Sequence, residues 1–185
     1  SFQVEREKRI VSVGRMDANK NHEMMIRAFA KLAVKYPEYT LTIYGDGELR
    51  SHLEKLIDSL ELSGRVFMPG VILNVADEIE KVSLFLLTSY SEGVSNALIE
   101  AMALGLPVIA TDVPSGGTVE LIEHGKNGWM IPVGDEMALE KAMDKLLSDR
   151  ELAENLGMQA RTLQKRFAPE RVNKQWQNYF ESLNN

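Results

Sequence analysis

The chain has no cysteine in 185 residues, which excludes disulfides and thiolate metal sites and suits a reducing cytoplasm. It has no apolar run near the roughly 18 residues of a membrane span. Its opening, SFQVEREKR, is charged rather than apolar, which argues against a signal peptide, and with no initiator methionine it reads as a fragment. Positive charge is also short: 21 Lys and Arg against 27 Asp and Glu give a net charge of -6, which argues against general affinity for nucleic acid. No two aspartates are separated by a single residue, so an Asp-x-Asp cation site is lacking. A phosphate-binding P-loop is excluded because Asn19 stands at the second glycine position and Asn21 at the Ser/Thr position. Arg50 likewise replaces the third glycine of a dinucleotide fingerprint after Gly45 and Gly47.

What is present is a chain 44% apolar, enough to bury one substantial core, and a single domain is expected over 1–185. Short β-rich runs alternate with longer helical ones. Strands are predicted at Arg9 to Gly14, Tyr39 to Gly45, Arg65 to Met68, Ser83 to Ser89, Pro107 to Thr111 and Trp129 to Pro132. Helices are predicted at His22 to Lys35, Glu48 to Leu60, Val75 to Lys81, 95–104, Glu136 to Leu147, Asp149 to Arg166 and Pro169 to Leu183, with a helical turn at Thr118 to Ile122. Strands joined in this way by helices predict an α/β fold, a Rossmann-like, doubly wound parallel sheet with right-handed crossovers. Ligands of such sheets bind beyond the carboxyl ends of the strands. The polar punctuation falls there: Gly14-Arg15, Gly45-Asp46-Gly47, Pro69-Gly70 and Ser91 through Asn96.

The segment SEGVSNALIEAMALGLPVIATD, from Ser91 to Asp112, is the most informative. Ser95 and Asn96 are preferred N-cap types, and the apolar run after them favours a helix. Backbone N–H groups near residues 93–97 then point at whatever precedes that helix, and an anion fits there. Glu92 lies just outside the helix and Glu100, eight residues on, inside it, leaning back toward the N-terminus. Carboxylates repel phosphate, so both are expected to accept hydrogen bonds from hydroxyl groups on either side of it, as a sugar and a ribose would supply.

Arg15 follows its strand immediately and Lys20 opens the next helix. Two cations there can converge on a diphosphate, or simply be solvated. The YGDG turn either lets a ligand approach the backbone closely or only needs an unusual φ. His22, His52 and His124, on or near predicted helix surfaces or a Gly-rich turn, read as structural, and the nine methionines as gap filling.

Taken together, VGRxxxxK, YGDGxxxxxL, and SEGxSNALIEAMAxGxPVIATD followed by ELIxxGxNGxxxPxGD resemble the C-terminal, donor-binding domain of family 4 retaining glycosyltransferases, one half of a two-domain B-type fold. The resemblance implies that Arg15 and Lys20 grip the donor diphosphate and that the amides of Gly93, Val94, Ser95 and Asn96 hold phosphate and sugar. It implies that Glu92 meets the transferred sugar near the reacting carbon, that Glu100 meets the ribose, and that the base lies near Pro69 to Ile72, against Gly70 and Val71. Gly14 and Gly45 complete the expected donor site. Where many members read EGFPN, this chain reads EGVSN, which leaves the phosphate cradle intact and bears on sugar selectivity.

Further implications are a hexosyltransferase that takes its sugar from a nucleotide diphosphate, UDP on family frequency, and passes it to a polysaccharide, lipopolysaccharide or lipid-linked acceptor. No cofactor or metal is expected. The chain's own N-terminal acceptor domain is expected outside this sequence, so the isolated domain should be inactive. Residues 169–185, with Trp176, Tyr179 and Phe180 at helical spacing, read either as core packing or as a crossover onto that partner. A cytoplasmic protein, peripheral at the inner face of the membrane through the acceptor domain, is implied. Two other readings stand beside this one: a nucleotide-sugar epimerase of similar fold, and a non-catalytic nucleotide-sugar-binding module.

Overall fold

A computed structural model describes residues 5–162. Six parallel strands form one sheet in the order β3-β2-β1-β4-β5-β6, from β1 (Glu7–Val13), β2 (Thr40–Tyr44), β3 (Val66–Gly70), β4 (Val82–Leu87), β5 (Val108–Asp112) and β6 (Trp129–Pro132). The helices are α1 (His22–Ala33), α2 (Arg50–Ser59), α3 (Val75–Ile79), α4 (Asn96–Ala103), α5 (Glu136–Ser148) and α6 (Arg150–Ala160). The chain winds outward from β1 to β3, returns, and winds the other way from β4 to β6, so the topological switch lies between β1 and β4.

The sheet is buried on both faces, which is why its central strands read as continuous apolar runs. Period 2 divides them between two layers. Ile10, Leu41, Ile43, Leu84 and Leu86 join the core formed with α1, α2 and α5. Val11, Phe85, Leu87, Val108 and Ala110 join the opposite core, with α3 and α4. Helix α6 belongs to both, because Ala153 and Leu156 lie in the first core and Ala160 in the second.

Element boundaries move by a few residues from the expected ones. Helix α2 begins at Arg50 rather than Glu48, since residues 46–49 are taken by the turn after β2. Of the two N-cap candidates, Ser95 is the cap of α4, its Oγ accepting from Leu98 N–H at 3.4 Å, and Asn96 is the first helical residue. The expected turn at residues 118–122 is a single turn closed by Ile122 N–H on Thr118 O at 2.8 Å. Helix α6 ends at Ala160. The expected helix at Pro169 to Leu183, its aromatic residues and the 169–185 crossover lie outside the described residues.

The carboxyl ends of β1, β2 and β3 are locked at one glycine. Gly45 N–H donates to Gly70 O at 2.8 Å, and its φ of +136° is open to glycine but not to L side chains. A Cβ on Gly45 would lie 2.0 Å from Gly14 O, so the YGDG turn brings two backbones together rather than only reversing the chain.

Candidate functional site

The switch point brings the loop after β1 beside the loop after β4. After Gly14 and Arg15 the first loop makes one 3-10 turn, Ala18–Lys20, capped by Asp17, whose Oδ1 accepts from Lys20 N–H at 3.1 Å. The Lys20 stem runs beside Gly14, where a Cβ would stand 3.4 Å from Lys20 Cδ and Cε, at ordinary contact distance. Lys20 Nζ then reaches Glu92 Oε2 at 2.5 Å. Ser89 Oγ donates to the same carboxylate oxygen at 2.8 Å. Both charged side chains are largely shielded, 18% exposed for Lys20 and 14% for Glu92, so their attraction is less screened than at an open surface.

This differs in part from the expectation of two cations converging on an anion. Lys20 lies in the site but is paired with Glu92. Arg15 is 70% exposed, its Nε 3.9 Å from Asp17 Oδ2, and it takes no part in the Lys20, Glu92 and Ser89 group. Its place is one residue from Lys20's glycine, at the rim of an open cleft. That cleft is lined by Val13, Gly14, Arg15, Tyr44, Gly45, Asp46, Val71 and Ile72 at the carboxyl ends of β1 and β2 and just past β3. Gly14 lines the cleft and also lies beside the Lys20 stem, so Lys20 adjoins the cleft. Gly70 precedes the cleft wall with open space at its Cα, and Val71 is 74% exposed, presenting a bare apolar surface of the kind a planar ring covers.

The loop between β4 and α4 is tied down before it reaches the helix. Asn19 bonds Ser91 with both ends of its amide, Oδ1 accepting from Ser91 N–H at 2.9 Å and Nδ2 donating to Ser91 O at 2.8 Å. Ser115 Oγ accepts from Glu92 N–H at 3.2 Å and donates to Glu92 O at 2.6 Å. Thr88 Oγ1 donates to Lys20 O at 2.8 Å, and Thr111 Oγ1 to Ser89 O at 2.6 Å. Past Glu92, Gly93, Val94 and Asn96 are exposed; a Cβ on Gly93 would face open space, while its carbonyl packs against Gly117. The first helical bond of this stretch is Ile99 N–H to Ser95 O, so the amides of 95–97, the Leu98 donor being capped, are the orphan donors of α4, and those of Gly93 and Val94 just ahead of the cap are likewise without a partner among the described residues. Glu100 is half-buried on α4, outside the Lys20, Glu92 and Ser89 group.

His22 opens α1 two residues after Lys20 and is buried at 3% exposure, not on a helix surface as the sequence suggested. Burial first, and the Lys20 charge second, push its imidazole down to about 4 against the opposing influence of Asp17, so it is neutral at physiological pH. His52 pairs with Glu23 at 3.0 Å, and His124 Nδ1 accepts from Met130 N–H at 3.0 Å, both away from the site. Among the described residues no three His, Asp or Glu side chains converge as metal ligands. Thr88, Ser89 and Ser115 were not singled out from the sequence, and Asn19 only as a departure from a P-loop; a run of small polar residues right after the apolar β4 was the available signal for Thr88 and Ser89.

A family model described as Glycosyl transferases group 1 matches residues 1–163. The N-acetylgalactosamine-N,N'-diacetylbacillosaminyl-diphospho-undecaprenol 4-alpha-N-acetylgalactosaminyltransferase of Campylobacter jejuni is 35% identical over 88% of this chain and 43% of its own length. The N-acetyl-alpha-D-glucosaminyl L-malate synthase of Bacillus anthracis is 33% identical over 97% of this chain and 47% of its own. Among solved structures, a mutant of Staphylococcus aureus TarM in complex with fondaparinux, alpha-GlcNAc-glycerol and UDP matches 97% of this chain and 36% of that one, with a TM-score of 0.88 and 26% identity. The chain thus spans less than half the length of these proteins.

Proposed function

This chain belongs to the glycosyl transferases group 1 family, with the Rossmann-like sheet of B-type glycosyltransferase domains, and on that premise we propose that it is the donor-binding half of a retaining hexosyltransferase. The donor is a nucleotide diphosphate sugar, with UDP as the nucleotide. The acceptor is a polysaccharide, lipopolysaccharide or lipid-linked glycan held by an N-terminal domain of the same protein. UDP in the TarM complex and the undecaprenol-linked substrate in the Campylobacter enzyme's name support this reading. The setting is cytoplasmic, with the acceptor half docked at the inner face of the membrane.

The observation that carries it is the Lys20–Glu92 pair at the switch point, between the apolar cleft and the free amides that precede α4. With base and ribose in the cleft, the diphosphate lies at the α4 N-terminus and Lys20 exchanges its carboxylate partner for a phosphate oxygen. Glu92, released, accepts hydroxyls of the sugar. Glu100 takes the ribose hydroxyls, and Arg15 folds in from the rim. Transfer leaves negative charge on the departing oxygen, and its stabilisation dominates. A cation about 4 Å away is worth about 4 kcal/mol at an effective dielectric near 20, before desolvation. The helix end adds about 0.3–2 kcal/mol. Lys20 therefore supplies the larger electrostatic share, and α4 mostly position. Neither a metal nor a cofactor enters this reading.

Steady-state kinetics of the intact protein tests it. Lys20→Ala is expected to lower kcat and donor affinity together, Arg15→Ala to do so less, and Glu100→Ala to weaken UDP binding in calorimetry. Unchanged turnover in Lys20→Ala would remove the central assignment. Product analysis with and without acceptor separates transfer from epimerisation.

A further inference from the structure

The donor-site reading gives no role to Asn19 or Ser115, yet each makes a two-way contact with the backbone just before the orphan amides. Asn19 satisfies both the N–H and the C=O of Ser91, 72 residues away, and its own carbonyl accepts from Tyr90 N–H at 2.8 Å. Ser115, 23 residues from Glu92, satisfies both backbone groups of Glu92 with one hydroxyl. Two consecutive residues are thus held as if each were paired in a sheet, by side chains from two different loops. The adjacency matters: Asn19 is the chain neighbour of Lys20, and Ser91 of Glu92. Fixing Asn19 to Ser91 fixes the backbones from which the Lys20 and Glu92 side chains meet. These contacts lie at the exposed surface and bury little, so the folded core does not require them.

We propose that Asn19 and Ser115 are positioning residues of the donor site: they clamp the 91–92 link so that the Glu92 carboxylate faces Lys20 and the amides from Gly93 onward face the diphosphate. The inference rests on the donor-site reading above. A link without its clamps samples many geometries, and misplacement by about 1 Å is enough to weaken a preorganised site.

Calorimetry with UDP on the intact protein, GDP in parallel, combined with thermal unfolding, decides it. Asn19→Ala and Ser115→Ala are each expected to weaken nucleotide binding about tenfold while Tm moves by less than about 4 °C. In a Lys20→Ala background the further loss from Asn19→Ala should fall below about twofold, because Asn19 acts through the Lys20 geometry. If Asn19→Ala does not fold, Asn19→Asp, which retains the bond from Ser91 N–H, answers the same question with a smaller loss. Wild-type protein that binds neither nucleotide would end the donor-site reading and this inference with it. Wild-type binding left unaltered by both single substitutions overturns the positioning role alone. So does a loss undiminished in the Lys20→Ala background, or one that tracks a larger fall in Tm.

Discussion

Three ionisable side chains crowd the entrance to α1, and their different states follow from what surrounds each. Lys20 and Glu92 are shielded together, so each keeps a counter-charge. His22 is buried without a partner for its Nδ1 among the described residues, and it remains uncharged first because burial disfavours the imidazolium and second because protonation would bring another positive charge beside Lys20. Its folded-state value, about 4, lies below the ordinary 6.5, so protons favour the unfolded chain in between. The stabilisation from keeping His22 neutral is complete above about pH 6.5 and is lost as pH falls through about 4. Between pH 7 and pH 5 the loss is about 2 kcal/mol. Urea unfolding at the two pH values measures it, and in His22→Leu the difference should shrink by about that amount. A variant with the full wild-type pH dependence would place the titrating group elsewhere.

At the scale of elements, the loop before α4 is shaped by a glycine from the far side. A Cβ on Gly117 would lie 2.0 Å from Gly93 O and 2.6 Å from Glu92 O, a collision of backbone with backbone. Gly117→Ala should therefore push the loop away, destabilising the protein by about 1–3 kcal/mol and weakening UDP binding in calorimetry. Gly93→Ala, with nothing within 4 Å of its Cβ, should leave the chemical-denaturation midpoint almost unchanged. The elements themselves were legible in the sequence, because β4 and β5 are buried on both faces and α1, α2 and α5 show one apolar stripe. The capped start of α4 was legible too, since Ser95 is chemistry local to a turn. The pairing of Lys20 with Glu92 was not. Those residues are 72 apart, and only the crossover from β1 to β4 brings their loops together. For the same reason Asn19 and Ser115 gave no signal: each acts through a contact that no local spacing encodes. The eight-residue interval between Glu92 and Glu100 suggested two carboxylates flanking an anion, but spacing along one segment says nothing of a lysine arriving from another.

For the whole molecule, the cleft and the free amides open at the same carboxyl edge of the sheet, and on the proposed function that edge is the one turned toward the acceptor domain. A polypeptide of this sequence alone is expected to bind UDP in calorimetry and to transfer no sugar in a product assay, since an acceptor is not held in place. Acceptor glycosylation by that polypeptide would contradict the proposed division of labour. Among the described residues no helix is long and apolar enough to cross a membrane.

The sheet order also has a consequence for biosynthesis. Of these six strands β1 is made first; it is flanked by β2 and by β4, and the residue that pairs with Glu7, Val82, is added 75 residues later. At about 5–20 residues per second, one flank of β1 stays unpaired for about 4–15 s on every nascent chain. An open flank of that kind recruits other strands. Slow codons between residues 14 and 82 would lengthen the interval between making β1 and closing it with β4, and with it the exposure of that flank.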